Sequence, residues 1–383
     1  MVILEEPYVS DHLLKYLEAN KVPVLNNSFA RRHNQDYKLN LVDDDKMVSQ
    51  YKENKKLYLT SENALDWVYN HLSEEPIIEG INKVKNKASF RELIKDIYPD
   101  FFFDRIAYDR LEDYAAQKVK FPVVLKPAVG FFSLGVYVIN NQAEWENAVA
   151  VIKKQEEKLK TQFPESVVDL GEFILEEYIK GTEYAIDAYY DELGKPVILN
   201  IFTHRFVSAE DVSDRIYYTS KEIIENYKEP FEDFLEKINQ VLQLTNFPMH
   251  VEVRLDGERI VPIEVNPMRF AGLSCTDIAY YAYGINTVDY YLNKKVPDFK
   301  EILKDKAGKL YSLIVLDKKE AGLDCSQFDY EKLTTDFEHV MMLRKVDSKF
   351  LNIFGFLFVE TREENSQELD DILQSDLMEY MKK

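Results

Sequence analysis

Residues 249–272 read M-H-V-E-V-R-L-D-G-E-R-I-V-P-I-E-V-N-P-M-R-F-A-G, and no other stretch restricts the fold as tightly. Two runs rich in Val and Ile flank Asp256-Gly257, a dipeptide suited to tight turns, so the stretch predicts a β-hairpin. Side chains alternate along a strand, which puts Val251, Val253 and Leu255 on one face and His250, Glu252 and Arg254 on the other. On the second strand, Val261, Ile263 and Val265 form an apolar face, and Glu264 and Asn266 a polar one. For both apolar faces to enter one core, Glu252 must stand opposite Glu264, with Cβ atoms about 5 Å apart. Carboxylates held that close repel unless a cation lies between them. With Asn266 they make an all-oxygen donor set, which suits a hard ion such as Mg²⁺ that completes its shell with water and phosphate. The alternative is an amphipathic hairpin with a solvated polar face.

At 383 residues, 46% of them hydrophobic and 30% charged, the chain is expected to form two or three soluble domains. A net charge of −20 argues against nucleic acid, which demands a basic footprint. It leaves room for one triphosphate neutralised locally by Mg²⁺ and a few Lys or Arg residues. Cys275 and Cys325 supply neither a disulfide framework nor a zinc quartet, and a reducing cytoplasm fits. An acidic N-terminus and the lack of a long uncharged apolar run predict neither a signal peptide nor a membrane span.

Three further stretches carry chemistry. Lys83, Lys85 and Lys87 precede a predicted helix over 88–97. Residues 121–140 read F-P-V-V-L-K-P-A-V-G-F-F-S-L-G-V-Y-V-I-N, where Lys126 ends an apolar strand and so needs anions to offset its burial. Gly130 and Gly135 bracket a loop containing Phe131, Phe132 and Ser133, whose backbone N–H groups can approach phosphate oxygens. A Walker A loop is excluded, because Val136-Tyr137 continues as strand where that motif needs Lys and Ser or Thr opening a helix. Residues 173–189 read F-I-L-E-E-Y-I-K-G-T-E-Y-A-I-D-A-Y, a strand–turn–strand.

Taken in order, the lysine at a helix entrance, Lys126 with its glycine loop, E-E-Y-I-K-G-T-E and I-E-V-N-P-M-R before Gly272 resemble the signatures of the ATP-grasp superfamily over residues 83–292. The resemblance is to its carboxylate–amine ligases, of the L-amino-acid ligase and D-alanine–D-alanine ligase kind. It implies an α/β (α+β ATP-grasp) fold, with an N-terminal α/β domain at 1–82 and a two-subdomain ATP-grasp domain at 83–304 whose lid spans about 115–178. A small C-terminal α/β lobe at 305–383 would follow. Implied cofactors are ATP and two Mg²⁺ ions, with Mn²⁺ an alternative, and the implied metal ligands are Glu252, Glu264 and Asn266. Phosphate contacts fall to Lys87, Lys126, Gly130, Phe131, Phe132 and Ser133, with Lys83 and Lys85 open alternatives to Lys87. Glu176, Glu177 and Ile179 would meet adenine, Glu183 the ribose hydroxyls, and Arg269 the substrate carboxylate and its phosphorylated form. His204, Arg205 and Arg215 are candidates for a further phosphate contact, with Arg205 preferred. His250 either orients an acyl phosphate or is a structural histidine.

The activity so implied converts a small carboxylic acid, an amino acid being one candidate, into an acyl phosphate and joins it to an amine, releasing ADP and phosphate. Expected partners are that acid and amine, without nucleic acid or membrane; a homodimer is open. The alternatives are a small-molecule kinase and a non-catalytic nucleotide-binding regulatory protein. Scaffold helices are expected over 231–244, with Phe234, Leu235, Ile238, Val241 and Leu242 inward, and over 366–382.

Overall fold

Three sheets organise the computed structural model, which describes residues 1–114, 119–130, 135–162, 169–206, 215–320, 322–346 and 351–382, without the side chains of 155–162 and 169–170. The first holds β1 (Val2–Ile3), β2 (Pro23–Leu25), β3 (Asn40–Val42) and β4 (Tyr58–Leu59), all parallel, in the order β3-β2-β1-β4. Parallel strands lie buried beneath helices, which is why β1 is uniformly apolar and inaccessible. The helix Asp11–Ala19 beside it is capped by Ser10, whose hydroxyl accepts from Leu13 N at 3.2 Å. Strand β3 was not expected: only its last residue is buried, so it carries no apolar run.

The second sheet is antiparallel: β5 (Phe103–Ala107), β6 (Val123–Val129), β7 (Tyr137–Ile139) and β8 (Asp169–Glu177), in the order β5-β8-β6-β7. The helix Gln142–Gln162 covers it, burying Trp145, Ala148, Val149 and Ile152 as their spacing predicts. They pack on Ile106, Val123, Leu125 and Phe173, so this sheet and its helix have a core of their own.

The third sheet is the frame of the molecule. It contains β9 (Thr182–Tyr190), β10 (Pro196–His204), β11 (Ile216–Ser220), β12 (Phe247–Asp256), β13 (Arg259–Pro267), β14 (Lys309–Asp317), β15 (Val340–Lys345) and β16 (Ile353–Arg362). Their order is β13-β12-β9-β10-β11-β14-β16-β15, every pairing antiparallel. The strands after residue 305 therefore form no sheet of their own; β14 pairs with β11 and carries the central sheet outward.

Two scaffold helices differ from expectation. The helix Lys221–Leu242 starts ten residues before 231, because Ser220 caps it and Pro230 is accommodated inside it. Its Val241 is 39% exposed, outside the apolar face that includes Phe234, Leu235, Ile238 and Leu242. The C-terminal helix Gln367–Gln374 stops well short of 382, and Leu377 beyond it takes a left-handed φ of 63°. No helix among the described residues is long and apolar enough to cross a membrane.

Candidate active site

Register across the central sheet assembles the site in rows. Glu264 stands opposite Glu252, Glu252 opposite Ala185, and Ala185 opposite Phe202. The next row runs Asn266, His250, Asp187, Asn200. On the other side, Arg254 faces Glu183, and His204, Tyr217 and Leu313 continue the line. Directly opposed residues share a face, so these rows project toward the second sheet. Between the second and third sheets lies a cleft of about 430 Å³, into which Lys126 and Val138 reach from one side and Glu252, Glu264, Asn266 and Arg269 from the other.

The hairpin departs from strict alternation at one point. After the Glu252–Glu264 pair the register shifts, Val253 meets Pro262, and Ile263 is left over as a β-bulge. Ile263 therefore lines the cleft instead of sharing the core face with Val265, and its carbonyl accepts from Lys126 Nζ at 3.4 Å.

Charges around the hairpin are matched closely. Asn86 caps the helix Lys87–Ile94 by accepting from Ser89 N at 2.8 Å, which fixes Lys87 at the first helical position. Lys87 Nζ lies 2.8 Å from Glu264 Oε2 and donates to the Gly130 carbonyl at 2.9 Å. Asn266 Nδ2 donates to Glu264 Oε1 at 3.0 Å. Burial raises the Glu264 carboxyl, but Lys87, Asn266 and Lys126 together outweigh it and bring the group to about 2. Lys87 is likewise held above the usual lysine range by Glu264, against burial. Lys83 instead pairs with Glu79 and Lys85 with Glu62, so Lys87 is the one of the three that lines the cleft.

Lys126 is 4% exposed and pairs with Glu176 at 2.5 Å; Glu176 also takes Arg91 at 2.7 Å. Burial acts to raise Glu176, and the two cations overcome it and lower the group. The Glu176 carboxylate is thus committed to Lys126 and Arg91, which leaves the backbone of this cleft-lining residue for any contact with an adenine edge. Glu177 also lines the cleft, while its carboxylate accepts from Phe102 N at 3.1 Å. Tyr178 and Ile179 line the cleft, and the turn behind them needs Gly181, because a Cβ there would lie 2.1 Å from the Leu255 carbonyl oxygen. Glu183 Oε2 accepts from Arg254 at 2.9 Å, and Glu183 Oε1 lies 3.7 Å from His204.

Arg269 enters the cleft with its guanidinium held from behind. Its Nε and Nη2 donate to Glu62 Oε1 at 3.1 and 2.7 Å, and its Nη1 donates to the Phe270 carbonyl at 3.0 Å. His250 is fixed in a similar way. Its Nδ1 is 2.7 Å from Asp187 Oδ1, which also accepts from Ala271 N at 2.8 Å, while its Nε2 lies 3.7 Å from Glu252 Oε1. Neither Glu62 nor Asp187 was singled out from the sequence. Asp187 had a signal, a carboxylate inside the apolar run A-I-D-A; Glu62 had none, being 207 residues from its partner.

The preferred phosphate arginine is a correction. Arg205 follows His204 and so points to the other face, where it bonds Asp370 through two contacts of 2.7 Å. Arg215 binds Asp317 and the carbonyls of Ile372, Leu373 and Ser375. Of these three candidates, His204 lines the cleft. Phe131, Phe132 and Ser133 lie outside the described residues; Gly130 and Gly135 flank them.

Glu252, Glu264 and Asn266 offer oxygen donors at one edge of the cleft, and the described residues hold no cluster of three Asp, Glu, His or Cys able to bind a metal by itself. Such a sparse all-oxygen set fits Mg²⁺ bound jointly with a phosphate ligand.

Residues 119–277 match the family model of the ATP-grasp domain. Curated protein sequences give no match. Among solved structures, the L-amino acid ligase from Bacillus licheniformis superposes with a TM-score of 0.70 at 17% identity, covering 97% of this chain and 96% of that one. The N5-carboxyaminoimidazole ribonucleotide synthetase from Thermotoga maritima gives 0.64 at 15% identity, covering 100% and 98%. The phosphoribosylglycinamide synthetase from Anaerococcus prevotii gives 0.57 at 15% identity, covering 97% of each. At these identities the likeness is one of fold. Residues 119–277 therefore carry an ATP-grasp domain, and the whole chain shares its α+β fold with these solved enzymes.

Proposed function

We propose that the protein is an ATP-dependent carboxylate–amine ligase, which activates a small carboxylic acid as an acyl phosphate and joins it to an amine with release of ADP and phosphate. The observation that supports this reading most strongly is the convergence of Lys87, Lys126, Glu252, Glu264, Asn266 and Arg269 on one cleft. Cations and oxygen donors for a triphosphate lie beside a guanidinium suited to a carboxylate.

In this reading Val124, Val138, Tyr178 and Ile263 enclose the adenine, with Ile179 at its edge, and Glu183 receives the ribose hydroxyls. Lys87 and Lys126 meet the phosphates. Two Mg²⁺ ions held through Glu252, Glu264 and Asn266, or Mn²⁺ in their place, would neutralise phosphate charge during transfer. A carboxylate is a poor electrophile at neutral pH, and phosphorylation supplies the leaving group that an amine displaces. Arg269, aimed by Glu62, holds the acid and the charge that develops on it. His250, aimed by Asp187, presents Nε2 where it can bond a phosphoryl oxygen. The lid excludes water that would hydrolyse the acyl phosphate. A cytoplasmic setting belongs to the same reading and is supported by two free cysteines.

Phosphate release by the purified protein, screened over pairs of small acids and amines with mass spectrometry of the products, tests this. ADP and an amide formed only when both substrates are present are the expected result. A stable phosphorylated product formed without amine would replace the ligase by a small-molecule kinase, and nucleotide binding without turnover by a regulatory protein.

A further inference from the structure

One helix sends cations to both walls of the cleft. In the helix Lys87–Ile94, Lys87 and Arg91 stand one turn apart and so share a face. Lys87 pairs with Glu264 on β13 and donates to the Gly130 carbonyl that follows β6. Arg91 makes the converse contacts: its Nε donates to Glu176 Oε2 on β8 at 2.7 Å, and its Nη2 donates to the Pro262 carbonyl on β13. Its guanidinium lies over the Phe101 ring, 4.4 Å from the centroid, and the residue is buried. A planar fork is thus used in two directions at once, which an ammonium would not reproduce.

Arg91 stands outside the cleft lining and reaches Glu176 from behind, while Lys126 takes the other oxygen, Oε1, from the cleft side. The sharing matters because a triphosphate in the cleft and the Glu176 carboxylate compete for one ammonium. With Lys126 as its sole partner, Glu176 would be a buried carboxylate that holds the lysine back and repels phosphate. With Arg91 behind it, Glu176 keeps a counter-ion when a phosphate oxygen claims Lys126. Burial is the largest influence on the Glu176 carboxyl and raises it; of the two cations that lower it, Arg91 acts the more strongly.

We infer that Arg91 is a positioning residue for nucleotide binding, which by holding Glu176 makes the Lys126 ammonium available to phosphate. The inference rests on the reading that Lys126 meets the phosphates and is independent of which acid and amine are joined. Arg91 itself touches no nucleotide; it acts through the carboxylate between them.

Calorimetric titration of the full-length protein with Mg²⁺ and a non-hydrolysable ATP analogue tests this. Arg91→Gln should weaken binding of the analogue about 10-fold, and adding Glu176→Gln to it should restore affinity to within about threefold of wild type. Glu176→Gln alone should bind the analogue about threefold more tightly than wild type, a sign that can be read even where Arg91→Gln does not fold. An Arg91 with a structural role only would lower the unfolding temperature, and the second substitution would bring no affinity back. Unaltered affinity in Arg91→Gln, a loss that the double variant does not restore, or weaker binding by Glu176→Gln alone would each overturn the inference while the wild type still binds the analogue. Absence of binding by the wild type would instead overturn the nucleotide reading, and this inference with it.

Discussion

At the β12–β13 end of the cleft the lysines and arginines are paired with carboxylates: Lys87 faces Glu264, Lys126 and Arg91 share Glu176, and Arg269 leans on Glu62. At the β10–β16 end the described walls are rings and branched chains, His204 among them, without Lys, Arg, Asp or Glu. The first end holds its groups in fixed positions before any ligand arrives, as electrostatic catalysis requires. The second end offers non-directional burial, which discriminates by size and polarity. Substitutions at the first should strike kcat, and substitutions at the second KM.

That contrast can be broken most severely at Glu264. Glu264→Gln should lower turnover by about 10³-fold or more while circular dichroism reports an intact fold. Wild-type turnover in that variant would remove the metal assignment. Arg269→Ala comes next, with kcat expected to fall by about 10²-fold and ATP affinity to stay within about threefold. Weaker ATP binding with unchanged kcat would place Arg269 on the nucleotide instead.

Acid should undo the charged end selectively. Burial raises Glu264, Glu176 and Glu62, and their cationic partners more than reverse this, leaving all three lowered from 4.5, Glu264 to about 2. The stability these groups contribute is present above their ordinary value and is lost as pH falls through their lowered ones. Thermal unfolding should therefore show a progressive loss of stability from about pH 5 toward about pH 2. A flat profile across that interval would contradict the ion pairs. The smallest effect is expected outside the cleft: Arg205→Ala should leave turnover unchanged and cost at most about 1 kcal/mol, read by denaturant unfolding.

The charged end was legible because its information is local. A turn dipeptide and a period of two placed Glu252 against Glu264, and the glycine-flanked strand carried Lys126. Ile263 escaped because a bulge adds one residue without any compositional mark. Alternation separates Arg205 from His204, but only packing decides which of the two faces the cleft. The helix expected from 231 begins at Lys221, because Ser220 caps it and Pro230 is tolerated inside it. The apolar end was not legible at all: Phe202 and Phe356 come together through strand order, and no motif spans the residues between them.

Glu62 belongs to the first 82 residues, yet the guanidinium that would greet the substrate rests on it, as does the Lys85 ammonium. A chimaera that grafts a foreign opening segment onto this core would cut away that anchor, so exchanging the front of the protein would also unseat the Arg269 guanidinium. Only grafts that bring their own carboxylate to this spot would stay alive.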